Sequence, residues 1–331
     1  MKPLEKDTGF ELDGLDELFK TLTLDEGETI ERSSLRLQIE SAGYAIKRLK
    51  PGNGKLRFLA ADCSMAFKEL RYHALWATNA VAVYAVFDGV MHSDSLVGHS
   101  KIPYHSLKFA NKVSIGEITP YVDADVRAVH QRLYEESKIF NTSIAQLDAE
   151  GVDIDLILVD GSLTTNIGSA EKGVKYPEGK AADTEFKRFL RSKKTVGMVE
   201  DSHSAGVAQK IGYSFTDILL FDIALDEGEY VVEKDNGVNI CYVKLPGKKL
   251  PHEPDTTEPL TVRWEFNYDD FEKELAALAG IWQMEDDILH PQTYPLRIAD
   301  YLTRRVKVNG ILDMLIQEKG LGLKYRELRT S

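Results

Sequence analysis

Leu156-Ile157-Leu158-Val159-Asp160-Gly161-Ser162-Leu163 is an apolar run that stops at an aspartate and a glycine, and Arg57-Phe58-Leu59-Ala60-Ala61-Asp62-Cys63-Ser64 repeats its outline upstream. Each phrase reads as a buried strand that empties into a tight turn, with one carboxylate at its tip. Asp-Gly after a strand is also an ordinary turn, so one such phrase carries little. Two are harder to explain by turn chemistry alone. Like carboxylates brought together raise one another's pKa and strain the fold unless a cation stands between them. If the two strands are neighbours, the arrangement suits one or two shared divalent ions and metal-assisted hydrolysis of a phosphodiester.

The remaining pattern frames those two strands. Residues 12–24 and 29–46 have helical spacing, and Pro51-Gly52-Asn53-Gly54 marks a loop. Strands are expected at 58–61 and 79–88, then a third strand or a hairpin across 97–109 and 113–118. A long amphipathic helix follows at 122–147, and residues 154–159 form the strand that ends at Asp160. Further strands are expected at 195–199, 218–221, 239–243 and 262–266, with helices at 184–191, 269–282 and 296–308 and a proline-rich connector at 246–259. Strand with Asp, two strands, helix, strand with Asp is the order of a ribonuclease H-like sheet. The expected class is therefore mixed α/β, a ribonuclease H-like core with helical and β insertions. No internal boundary divides it: 1–331 reads as a single domain, with 1–55 an N-terminal extension, 56–310 the core and 311–331 a tail.

Composition sets limits. With 331 residues and 43% hydrophobic content the chain has enough apolar surface for a large core. No run approaches the roughly 18 apolar residues of a membrane span, and the acidic start lacks the features of a signal peptide. Two cysteines, Cys63 and Cys241, make no disulfide framework. These features fit a cytoplasmic protein without membrane contact. A formal net charge of -12 excludes a globally basic coat for nucleic acid. It leaves room for local basic runs, which occur at 47–57, 187–194 and 304–307 and would line a channel for a phosphate backbone if they converge. Two aspartates are a thin donor set, and the long helix adds Glu135 and Glu136 between the two Asp strands.

On these phrases the chain resembles the NurA nuclease family. The match rests on Asp62-Cys63-Ser64, where the family usually has Asp-Gly-Ser, on Ile157 to Leu163, and on Tyr294-Pro295-Leu296-Arg297-Ile298-Ala299-Asp300, which is similar to the start of the family's last core helix. The resemblance implies Asp62, Glu135, Asp160 and Asp300 as catalytic metal ligands for Mn²⁺ or Mg²⁺. Glu136 is the close alternative to Glu135, and Tyr294 lies beside the site. It also implies a metal-dependent DNA nuclease acting in 5′-end resection during double-strand break repair, a homodimer, and a HerA-type hexameric ATPase as partner. Two departures stand out: Cys63 replaces a glycine that tolerates positive φ, and Glu200 stands where the family more often has lysine. They motivate a second reading, a weak or inactive relative that binds DNA or the ATPase without cutting. A phosphotransferase of the actin-like group is disfavoured, because the chain lacks a glycine-rich phosphate loop.

Overall fold

The computed structural model describes residues 31–50, 54–70, 73–93, 101–119, 122–200, 202–248, 259–285 and 290–320. The helix expected at 12–24, residues 51–53 of the expected loop, most of the 246–259 connector and the end of the tail from 321 lie outside them. In chain order the elements are α1 (Arg32–Ser41), β1 (Lys47–Arg48), β2 (Leu56–Glu69), β3 (Ala74–Ser93), β4 (Lys101–Ile118), α2 (Ala124–Ala149), β5 (Leu156–Asp160), α3 (Leu163–Gly173), α4 (Pro177–Ser192) and β6 (Thr195–Val199). Then come α5 (Gly206–Lys210), α6 (Asp217–Ala224), β7 (Glu229–Asp235), β8 (Val238–Leu245), β9 (Leu260–Phe266), α7 (Glu272–Met284), α8 (Tyr294–Arg305) and α9 (Val308–Glu318).

Among the described residues the strands form one nine-stranded sheet in the order β1-β7-β8-β9-β6-β5-β2-β3-β4. β2, β3 and β4 make an antiparallel meander, α2 crosses over, and β5 returns parallel beside β2 with β6 parallel beside β5. This is the ribonuclease H-like order that the sequence implied, extended on one side by β9, β8, β7 and β1. The apolar run of β5 is buried on both faces because parallel strands are covered on both sides. Leu156 and Leu158 enter the core under α7 and α8, whereas Ile157 and Val159 enter the core under α2 and α4. A third core packs α1, α5 and α6 against β7 and β8.

Three expectations change. β2 does not stop at Asp62: it continues to Glu69, with Asp62 paired to Val81, Cys63 to Ala80 and Ser64 to Asn79 of β3. Pairing with β3 through Glu69 keeps the strand going where the Asp-Cys-Ser phrase reads as a turn. Cys63 is thus extended strand that needs no positive φ, and it is not among the described left-handed non-glycine residues, Ser106, Asp123 and Asn236. The strand expected at 218–221 is instead the core of helix α6, started by Thr216, whose hydroxyl accepts from the Leu219 amide. Of the two readings of 97–118, a third strand or a hairpin, the described part takes the first, as the single strand β4. Helix α9 spans the expected 310/311 boundary and packs Val308 and Leu312 against Ala66 and Ala77.

The turn after β5 is as the sequence reads it. Gly161 has φ +85°, and Ser162 caps α3 by accepting from the Thr165 amide. β6 presses on this turn: a Cβ built on Gly197 would stand 2.6 Å from the Gly161 carbonyl oxygen and 2.9 Å from Leu163 Cγ. Gly197→Ala is therefore expected to destabilise the protein by on the order of 1–3 kcal/mol, because backbone rather than a flexible side chain must yield. The denaturant midpoint measures it, and an unchanged midpoint would show that the turn is free to move.

Candidate metal centre

Side chains alternate across β2, so Asp62 shares the α8 face with Phe58 and Ala60, and Cys63 lies on the α2 face with Leu59 and Ala61. Asp160 ends β5 on the same face as Leu158. β5 pairs with β2 only as far as Val159 opposite Ala61. Beyond that point the edge of β2 is open on the β5 side, directly beside Asp62. Across this notch the buried Glu136 carboxylate of α2 comes within charge range of both aspartates.

Helix α8 fixes the first aspartate. The buried Thr303 hydroxyl lies 2.6 Å from Asp62 Oδ2 and 2.7 Å from the Asp300 carbonyl oxygen, and its single proton serves one acceptor at a time. The Thr303 carbonyl is tied to the strands by Asn79 Nδ2 at 3.0 Å and Ser64 Oγ at 3.1 Å. Asp160 accepts from Gln292 Nε2 at 2.6 Å. Gln292 is placed by the residues before it: the buried indoles of Trp282 and Trp264 donate to the carbonyls of His290 and Pro291 at 2.9 and 3.2 Å. The start of α8 is held by Glu285, which accepts from the Tyr294 amide at 2.8 Å, Tyr104 at 2.8 Å and Arg297 at 2.5 Å. On the far side of the Asp160 turn, the buried Glu265 accepts from the Thr164 amide at 2.9 Å and from Ser162 at 3.2 Å.

The electrostatics record crowded negative charge. Burial pushes Glu136 up to about 8; Arg132 opposes the shift, and Asp62 and Asp160 add to it. Burial, then Asp62, Glu200 and Asp300, push Asp160 up to about 6 against Arg132. Asp300 is raised by burial, with Arg304 opposing and Asp62 reinforcing. Asp300 pairs with Arg304 Nε at 2.7 Å and lines a cleft with Asp160, Glu200, His290, Gln292 and Arg304. Glu200 stands 3.4 Å from His290 in that cleft.

The structure brings Asp62, Glu136 and Asp160 within charge range of one another, with Asp300 and Glu200 at the cleft side. It does not bring Glu135 there. Neighbouring helical residues point about 100° apart, and the Glu135 carboxylate turns to β4, where it meets Lys112 and Ser114 at 3.1 Å, with Gln131 at 3.2 Å. Tyr294 is packed: its ring stacks on Tyr104 at 5.9 Å between centroids. Thr303, Gln292, Glu285 and Arg132 escape a reading of motifs. Arg132 alone left a signal, its i,i+4 spacing to Glu136.

A profile of the NurA domain matches residues 56–301. The chain belongs to the NurA family. The crystal structure of the NurA nuclease from Sulfolobus solfataricus is 14% identical, with 92% of this chain and 98% of that one aligned and a TM-score of 0.54. A NurA structure with manganese is 12% identical over 92% and 98% of the two chains, with a TM-score of 0.53. A NurA structure bound to dAMP and manganese is 12% identical over 87% and 92%, also with a TM-score of 0.53. At these identities the likeness establishes the NurA fold. No curated protein sequence matches the chain.

Does this set of carboxylates suit a hard divalent cation? Among the described residues no three His, Cys, Asp or Glu side chains stand close enough to hold an ion as they are. The chemistry nonetheless fits: oxygen donors from a strand, a strand end and a helix, whose mutual repulsion a dication relieves. One oxygen of Glu136, Oε2, is already paired with Arg132 Nη1 at 3.3 Å, so that guanidinium competes with an ion for the carboxylate.

Two of the basic runs meet elsewhere. Lys55, Arg57, Lys193 and Lys194 line a cleft with Lys273 where β2, β5 and β6 begin, at the opposite end of β5 from Asp160. Part of this charge is internal, since Arg57 pairs with Asp153 and Asp155, and Lys194 with Glu274. No described helix is long and apolar enough to cross a membrane.

Proposed function

We propose that this chain is a metal-dependent deoxyribonuclease in which Asp62, Glu136, Asp160 and Asp300 hold Mn²⁺ or Mg²⁺. The observation that supports this most is that Asp62 and Asp160, held by Thr303 and Gln292, share one face at the open edge of β2 in a chain of the NurA family. A bound divalent ion supplies charge neutralisation at the scissile phosphate and makes a water more acidic. The protein's own groups do the rest. Thr303 and Gln292 orient the two aspartates, and the cleft beside Asp160 and Asp300 admits the phosphate backbone. The NurA structures with manganese, one of them also bound to dAMP, support the same metal and a nucleotide ligand here.

The finer reading follows the family resemblance: DNA end processing with 5′ resection, a homodimer, a HerA-type ATPase that feeds the DNA, and a cytoplasmic location. Nuclease activity is tested with end-labelled single- and double-stranded DNA in Mn²⁺, Mg²⁺ or EDTA, with and without such an ATPase. Cleavage that needs the metal supports the reading. Intact DNA in every lane favours a protein that binds without cutting.

A further inference from the structure

Arg132 is the one described cation whose charge acts on Glu136, Asp160 and Cys63 together, and its own charge is held by Glu136 and by Asp62 and Asp160. It lies one helical turn before Glu136 on α2. The contact is a single one, Nη1 to Glu136 Oε2 at 3.3 Å, rather than the two-pronged pairing of which a guanidinium is capable. Its side chain is 40% exposed, whereas that of Glu136 is 5% exposed. The rest of the donor fork makes no other hydrogen bond among the described residues and lies within charge range of Asp62 and Asp160. A guanidinium does not lose its proton in a protein, so it is a permanent counter-charge.

We propose that Arg132 is a resident counter-ion of the acidic notch, which holds Glu136 while no divalent ion is bound, yields Glu136 when an ion enters, and then contacts a non-bridging oxygen of the substrate phosphate. This rests on the metal-centre reading above. One residue thereby takes two opposed roles: it competes with the ion in the free protein and assists the substrate in the loaded one. A merely structural arginine would do neither.

The two roles separate in one experiment on the full chain. Mn²⁺ binding is titrated without DNA, reading free Mn²⁺ by electron paramagnetic resonance, for wild type, Arg132→Gln and Arg132→Lys; cleavage of labelled DNA is then measured at saturating Mn²⁺. Arg132→Gln is expected to bind Mn²⁺ at least about threefold more tightly, because removing a positive charge beside a dication lowers its repulsion. The same variant is expected to cleave at least about tenfold more slowly, since a charge-assisted phosphate contact is lost. Arg132→Lys keeps the charge and is expected to restore Mn²⁺ affinity to near the wild-type value; it also serves if the glutamine variant folds poorly. Equal or weaker Mn²⁺ binding by Arg132→Gln, with wild type binding normally, overturns the proposal alone. Absence of Mn²⁺ binding in wild type overturns the metal-centre reading and the proposal with it.

Discussion

Asp62→Asn and Asp160→Asn are each expected to lower DNA cleavage by on the order of a thousandfold, the several kcal/mol of transition-state stabilisation that a bound dication provides. Each change removes one anionic donor while keeping the shape and one acceptor oxygen. The hydroxyl of Thr303 and the amide of Gln292 therefore retain a partner. For Asp160 the fold should gain, because burial and the charges of Asp62, Glu200 and Asp300 already push that carboxyl up to about 6. Lower activity with equal or higher melting temperature separates loss of a ligand from loss of structure. Cleavage within threefold of wild type in either variant would remove that residue from the metal site.

The second large effect concerns Glu136 and gives opposite signs for stability and activity. Its carboxyl is raised from an ordinary 4.5 to about 8. Below about 4.5 it is protonated in the folded and unfolded chains alike, and the fold bears no cost. As pH rises towards 8 the unfolded chain ionises freely while the folded one resists, so metal-free stability falls over that window and the full cost applies above it. Glu136→Gln removes the cost. The metal-free variant is expected to be more stable than wild type at pH 8 by on the order of a few kcal/mol, and no more stable at pH 4. It is also expected to lose most of its Mn²⁺-dependent cleavage. Glu135→Gln should behave in the other way: its carboxylate is already satisfied by Lys112, Ser114 and Gln131. That change should cost about 1 kcal/mol and leave cleavage within a few-fold. Urea titrations at the two pH values, in EDTA, decide the stability half; a Glu136→Gln variant no more stable than wild type at pH 8 would contradict it.

The sequence disclosed the succession of the core elements from β2 to β5 and the two aspartates because continuous apolar runs stopping at Asp are visible without any tertiary knowledge. β5 is the plainest case: five residues, four of them buried, ending where Gly161 turns. β2 was legible only in its first half. Its continuation past Asp62 depends on pairing with β3, a long-range contact that local turn chemistry does not encode. At 218–221 a short apolar run has no period of its own, and the cap at Thr216 identifies the helix. The choice between Glu135 and Glu136 turns on helix register. Glu136 lies three residues after Leu133 and four before Phe140, on the stripe that continues through Ile144 and Leu147 into the core. Reading that stripe outward from the apolar residues selects Glu136, whereas reading the glutamates alone leaves the two equivalent. Thr303 and Gln292 left no such trace, because they reach the aspartates through the packing of α8 and of the segment before it.

The most direct test of the metal centre is a manganese-soaked crystal of the wild-type chain, with the ion located by its anomalous scattering. A peak is expected at the open edge of β2, ligated by Asp62, Asp160 and Glu136, with Arg132 displaced from Glu136. A peak elsewhere, or an ion at the notch that leaves the Arg132–Glu136 pair in place, would contradict it.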